Sequence, residues 1–451
     1  MIPTGARKGR PRQERRVAAS GIDWDGVTRE ATDLLCRYIA IDTTNPPGNE
    51  RLAAEFLATV LQQEGIESKI YPVAEGRASL SARLAGDGRR RPLVLLNHMD
   101  VVPVERELWD VDPFAGVVRD GAVWGRGALD MKSMGVMELM TVLLLRRQGL
   151  ALSRDLLFVA AADEEAGGGA GIEWLDAHHP ELFDAEYVIN EGGYGNTAMF
   201  GVRRPIFGCS VGEKGPLWLR LTARGVSGHS SVPHADNCLE RLVRALHRIQ
   251  TWERPITLLP EVRTMFERLE AAGVLSQTVS EPSLGRLAED NPLVRALLTD
   301  TVATTMFNAG VKSNVIPSVA EANLDCRLLP GHDPDEFVEQ VRAVVHDPRV
   351  EVEMVMESHT PVSTADSELF RTIEAVVKEE APGSVLVPTI ATGFTDSRAF
   401  RRRGVVAYGF VPCLLEDAES ATIHGSNEHI PIAKLRLSIQ ILYEVVRRMC
   451  A

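Results

Sequence analysis

The sequence predicts an α/β fold: a mostly parallel sheet flanked by helices, interrupted by an inserted ferredoxin-like α+β domain. Three observations carry this expectation. Short apolar runs at residues 92–96, 156–162 and 187–189 are rich in strand formers and read as buried strands, with helical periodicity between them. From about 215 to 357 the order becomes β-α-β-β-α-β with alternating strands, the ferredoxin-like unit of four antiparallel strands. After 357 the α/β texture returns. A chain of 451 residues is long enough for two or more domains.

Each element has its own signal. Residues 1–24 read as a basic, flexible tail. Residues 24–41 read as a helix, with Val27, Ala31, Leu34, Leu35, Tyr38 and Ile39 on one side. Asp42-Thr43-Thr44-Asn45-Pro46-Pro47-Gly48 ends it as a loop. A helix at 50–64 and strands at 68–71 and 80–84 follow, then the strand that ends at His98. The helix at 132–147 carries Met134, Met137 and Met140 as a packing face. A short helix at 173–178 ends in His178 and His179, which suit its dipole. In the inserted domain we expect strands at 217–225, 304–307, 320–328 and 350–356. Its helices are expected at 237–251 and 333–345, the second begun by Pro334 and early acids. Residues 255–300 read as an extra, mostly helical insertion within that domain. A helix at 368–380, a strand at 405–410, a loop at 423–431 and a final helix to Cys450 complete the chain. The organisation is thus 25–214, an inserted 215–357, and 358–451.

Composition narrows the function. The net charge is −13, which disfavours non-specific binding to nucleic acid. None of the six cysteines forms a C-x-x-C pair, so reduced thiols in a cytoplasmic protein are expected. No apolar h-region follows the basic tail, and no apolar run is long enough to span a membrane.

The chemistry gathers at strand ends. The run 92–96 leads into Asn97-His98-Met99-Asp100, and in an extended segment His98 and Asp100 face the same side. A carboxylate beside a histidine can hold one ring nitrogen and aim the other at a metal. The second run ends in Asp163-Glu164-Glu165 and the third in Asn190-Glu191-Gly192-Gly193. Between them, Trp124 to Lys132 sets Asp130 in a glycine-rich loop before a helix. Ligands in open α/β sheets sit beyond the carboxyl ends of the strands. Carboxylates gathered there repel unless a cation holds them. Oxygen ligands with a few imidazoles suit zinc, manganese or cobalt.

His98-Met99-Asp100-Val101-Val102-Pro103, Gly125-Arg126-Gly127 through Asp130-Met131-Lys132, Asp163-Glu164-Glu165, Asn190-Glu191-Gly192, Gly228-His229-Ser230-Ser231 and the His424 loop occur in this order. Together they resemble the di-metal amidohydrolase and exopeptidase family of acetylornithine deacetylase, succinyl-diaminopimelate desuccinylase, aminoacylase, carnosinase and bacterial glutamate carboxypeptidase. The resemblance implies that His98 and Glu191 bind one metal, Glu165 and His424 the other, and that Asp130 bridges both. It makes Asp100 the residue that orients His98, Glu164 the general base and His229 the oxyanion donor. Asn314 and Arg327 would hold a substrate carboxylate. The implied cofactors are two divalent ions per subunit, zinc with cobalt or manganese as alternatives. The inserted domain would be a lid that pairs subunits in a homodimer. The implied reaction is attack of a metal-bridged hydroxide on an amide beside a free carboxylate, in an N-acyl amino acid or short peptide. An aminopeptidase with a related di-zinc centre would need an acid in place of Arg327. An inactive dimeric scaffold would lack a ligand or base, and none is missing. Asp396 either shapes the substrate pocket or caps the next turn. Its loop, Thr392-Gly393-Phe394-Thr395-Asp396, departs from the Gly-Gly-Thr-Ser-Asp form expected of desuccinylases. His234, His332 and His429 read as structural.

Overall fold

The computed structural model describes residues 21–276 and 278–451, so nearly all of the basic tail lies outside the described residues. At the centre of the large sheet, four strands run parallel in the order Leu156–Ala161, Leu93–His98, Tyr187–Asn190 and Val406–Gly409. Every residue of the first three is buried. Alternation along them feeds two cores. Leu93 and Leu95 face the larger one with Leu57, Met134 and Leu442, while Val94 and Leu96 face Ile172, Leu175 and Phe400 on the other side. The helix Lys132–Gln148 lies in the larger core, buried at nearly every position, and Gly149 stops it in the left-handed conformation.

Register decides where the chemistry lies. Leu93 pairs with both Leu156 and Tyr187, and His98 pairs with Ala161. The three strands therefore start level, the third ends two residues short of the other two, and the acids that follow each of them leave from one edge of the sheet.

Four further strands join this sheet where none was expected: Gly195–Met199, Val202–Glu213, Val385–Ala391 and Leu414–Leu415. Val202–Glu213 and Val385–Ala391 pair in parallel. Each carries a proline, Pro205 and Pro388, a residue that argues against a central strand and masks the signal.

A second sheet of four strands has the order Thr301–Ala309, Val319–Leu328, Gly215–Arg224, Val350–Glu357, with every pairing antiparallel. Helices Cys238–Gln250 and Pro334–Val345 pack on it around Leu219, Leu242, Phe337 and Val341. This is the β-α-β-β-α-β unit. Thr301–Ala309 runs longer than expected and forms an exposed edge, with Met306 and Phe307 open to solvent.

Residues 255–300 depart from the expectation. Their helices Pro260–Ala271, Glu281–Asp290 and Pro292–Leu298 place Val262, Met265, Phe266, Leu284, Val294 and Leu297 in the large core with Ile206 and Ile390. They do not enter the core of the four-stranded unit. Lys214 fixes the end of this excursion, donating to the Ala296 and Thr299 carbonyls and to Thr301 Oγ1 at 2.8–3.1 Å.

Candidate metal centre

Five side chains from five stretches converge beyond the carboxyl ends of the parallel strands. Nε2 of His98 lies 3.2 Å from Oδ1 of Asp130 and 3.7 Å from Oε1 of Glu191. Nε2 of His424 lies 3.0 Å from Oδ2 of Asp130 and 3.3 Å from Oε1 of Glu165. Asp130 therefore offers one oxygen to each of two ligand groups, His98–Asp130–Glu191 and Asp130–Glu165–His424. These are the five residues that the sequence motifs single out as ligands.

The electrostatics fit cations. Burial and the neighbouring Glu191 hold the Glu164 carboxyl well above the usual range, and burial and Asp130 do the same to Glu191. Hydrogen bonds to Asp130 and Glu165 raise His424 to about 10. Burial opposes the charged form of His98, but its carboxylate partners win and raise it. Protons alone are thus a poor neutralising charge here, since several carboxylates and two imidazoles compete to hold them. Two divalent cations would carry four positive charges, enough for this set of acids with the imidazoles neutral. The donor set of carboxylate oxygens and imidazole nitrogens suits such ions.

Asp100 is fully buried and works through the backbone as much as through His98. Its carboxylate accepts from the N–H groups of Glu164 and Glu165 at 3.1 Å, and from Asn45 Nδ2 at 2.7 Å. Nδ1 of His98 is 3.0 Å from the Asp100 carbonyl and 3.5 Å from its carboxylate. So Asp100 ties the His98 strand to the turn that carries Glu164 and Glu165. Glu164 is buried and belongs to neither ligand group.

Glu428 escaped the sequence reading. Its fully buried carboxylate accepts from Arg126 Nη1 at 2.7 Å and from the backbone N–H groups of Gly127, Leu129 and Asp130 at 2.6–3.0 Å. Arg126 also donates to the His424 and Gly425 carbonyls. One ion pair thus fixes the Asp130 loop against the loop of His424. No local pattern marks Glu428, because the loop it holds lies some three hundred residues earlier.

The remaining candidates lie elsewhere. His229 is exposed on the short strand Gly228–His229, opposite Val315, with its Nδ1 held by the backbone and hydroxyl of Ser231. Asn314 is exposed beside it, its carbonyl accepting from Ser230 N–H at 3.2 Å. No contact among the described residues joins either one to the acids. Arg327 is paired through two bonds with Asp325, and its guanidinium lies 4.9 Å from the centroid of the Phe394 ring. Its Nη1 is buried with no hydrogen-bond partner among the described residues. Asp396 forms no cap to the following helix, and both its carboxylate oxygens are likewise buried without partners. Burial lifts it to about 7. His332 pairs with Asp300, and His429 stacks on Trp124.

The chain is similar to several known proteins. The model of peptidase family M20/M25/M40 matches residues 94–448. Human N-fatty-acyl-amino acid synthase/hydrolase PM20D1 is 28% identical over 479 residues, covering 99% of this chain and 94% of that protein. A probable carboxypeptidase S-like 2 from Dictyostelium discoideum is 29% identical, covering 80% of this chain and 72% of that protein. The crystal structure of the M20 family metallo-carboxypeptidase Sso-CP2 from Sulfolobus solfataricus superposes with a TM-score of 0.72 at 18% identity, covering 93% of this chain and 98% of that one.

Replacing Glu428 by Gln leaves Arg126 buried without its counter-charge and turns an amide N–H₂ toward backbone donors. Breaking a buried pair in this way costs about 3–5 kcal/mol. Glu428→Gln should unfold at correspondingly lower denaturant and bind zinc more weakly than the parent by equilibrium dialysis. Parental stability and parental zinc affinity would show that this pair does not organise the Asp130 loop.

Proposed function

The chain belongs to peptidase family M20/M25/M40, and from that premise we propose that it cleaves an amide beside a free carboxylate, in an N-acyl amino acid or short peptide. It is a metallohydrolase acting on amide bonds, as the family and the named relatives establish. The observation that carries the finer reading is Asp130, whose two oxygens face two complete ligand groups. Five residues would hold the ions, most simply zinc: His98 and Glu191, Glu165 and His424, with Asp130 between. Two such cations supply polarisation of the scissile carbonyl and a lowered pKa for an attacking water.

This chain's own residues do the rest. Glu164, buried beside the ligands but in neither group, takes the proton of the attacking water and passes it to the leaving nitrogen. Asp100 holds Glu164 in place through its backbone N–H. Arg327 binds the substrate carboxylate; Asp325 and Phe394 orient the guanidinium while Nη1 keeps a donor free. Asn314 assists from the same four-stranded unit.

His229 is exposed in its own subunit, which supports a homodimer in which it completes the partner's site. The exposed edge strand Thr301–Ala309, with its unpaired backbone and apolar Met306 and Phe307, supports pairing through the inserted unit. Six unpaired cysteines support a reducing, cytoplasmic setting, and no described helix is long and apolar enough to cross a membrane.

Two experiments test these roles. Glu164→Gln keeps the shape and removes the proton acceptor. Turnover of N-acetyl amino acids should fall about 10²–10⁴-fold with metal content unchanged, and near-parental turnover would remove Glu164 from the mechanism. For His229, Glu164→Gln subunits are mixed with His229→Ala subunits. Action across a two-fold interface gives each mixed dimer one intact site, so roughly a quarter of all sites recover. Absence of recovery with subunit exchange confirmed would place His229 outside the partner's site.

A further inference from the structure

One short segment, Phe394-Thr395-Asp396-Ser397-Arg398, touches each part of the proposed site. The half-buried Phe394 ring has two guanidinium groups at 4.9 Å from its centroid. One is Arg327 of the four-stranded unit, the other Arg398 of the same segment. The buried Arg398 donates Nη1 to the Thr395 carbonyl at 2.9 Å and Nη2 to the Gly167 carbonyl at 2.7 Å. Gly167 closes the turn that carries Glu164 and Glu165, its N–H donating to the Glu164 carbonyl at 2.8 Å. The next residue, Gly168, lies so close to the segment that a side-chain carbon there would meet Asp396 Oδ1 at 3.1 Å and Arg398 Nη2 at 3.3 Å.

The same segment is anchored on two further sides. Asn190, which precedes Glu191, donates Nδ2 to Ser397 Oγ at 3.0 Å. Thr395 donates its hydroxyl to Glu213 at 2.8 Å, and the same Glu213 oxygen accepts from Arg401 at 2.7 Å. Glu213 stands two residues before Gly215, the first residue of a strand of the four-stranded unit. These anchors are buried and hydrogen-bonded, so the segment is held to the large sheet while its ring reaches Arg327.

Arg327 and Glu164 belong to different units of the chain. A substrate gripped at its carboxylate by one and attacked with the help of the other is aligned only as well as the gap between them is fixed. Misplacement by about 1 Å can cost 10²-fold in rate. The Gly-Gly-Thr-Ser-Asp form has threonine where Phe394 stands, and threonine has no ring face to offer either guanidinium.

We propose that Phe394 and Arg398 are positioning residues that fix Arg327 relative to the Glu164 turn, through the shared ring and the Gly167 carbonyl. These roles rest on the amide-hydrolase reading and add two residues to it. Neither side chain is assigned a contact with the reacting atoms. A substrate with a free carboxylate is seated by Arg327 and gains the full alignment. One whose carboxylate is replaced by a carboxamide forms no ion pair there and gains little. The brace therefore selects for free carboxylates through turnover as well as through affinity.

The test uses the zinc-loaded full chain and acetate release from N-acetyl-leucine and N-acetyl-leucinamide, with kcat and KM measured for each. Phe394→Leu should lower the acid-to-amide ratio of kcat by about 3–30-fold, the worth of one cation–ring contact. Phe394→Tyr keeps a ring and should keep the parental ratio. Arg398→Lys cannot bond both carbonyls with a planar fork, so kcat should fall about tenfold for both compounds, with KM and zinc content parental. An unchanged ratio in Phe394→Leu, or equal losses of kcat for the two compounds in that variant, would overturn the brace. Backbone hydrogen exchange at residues 163–170 is followed in the same proteins without substrate. It should quicken in Phe394→Leu and Arg398→Lys and stay parental in Phe394→Tyr. If the parent releases acetate from neither compound while exchange quickens in this pattern, the hydrolase reading fails and the brace stands. If acetate is released while the ratio and the exchange both ignore the substitutions, the brace fails and the hydrolase reading stands.

Discussion

Buried negative charge is the constraint on which this structure depends. Asp100, Asp130, Glu164, Glu165 and Glu191 gather at one edge of a sheet whose central strands are buried along their whole length. Like charges brought together out of water must be neutralised or must take up protons. The raised Glu164 and Glu191 carboxyls and the raised imidazoles of His98 and His424 express that demand. Cations shared through Asp130 would meet it in a way that side chains alone do not.

Much of the surrounding chain serves to hold these groups still. Asp100 gathers two backbone N–H groups and Asn45 around the His98 strand. Glu428 and Arg126 do the same for the Asp130 and His424 loops. Arg77 bridges Glu50 and Asp163 behind the Glu164 turn. Each device pairs a buried charge with several hydrogen bonds, the condition under which such a charge is tolerated.

The sequence disclosed most of the sheet centre and the acids that follow its strands, because both are written in local pattern. Period-2 and all-apolar runs mark the strands at Leu93 and Leu156, and the acids stand at their ends. The order of the four-stranded unit was also legible, since its strands alternate. What stayed hidden lies in contacts across long sequence separations. Glu428 meets a loop some three hundred residues earlier, and no local pattern announces that. The 255–300 helices have clear apolar faces, yet an apolar face does not name the core it joins. Proline hid the strands at Val202 and Val385. Asp396 could be read as a cap or a pocket residue; the structure shows no cap bond.

The central claim is a centre that works only with both ligand groups filled. The direct measurement is a zinc titration of the metal-stripped chain, with bound metal and turnover of an N-acyl amino acid followed on the same samples. The account predicts two ions per chain, with turnover appearing as the second binds. Full turnover at one ion per chain, or turnover that survives complete removal of metal, would contradict it.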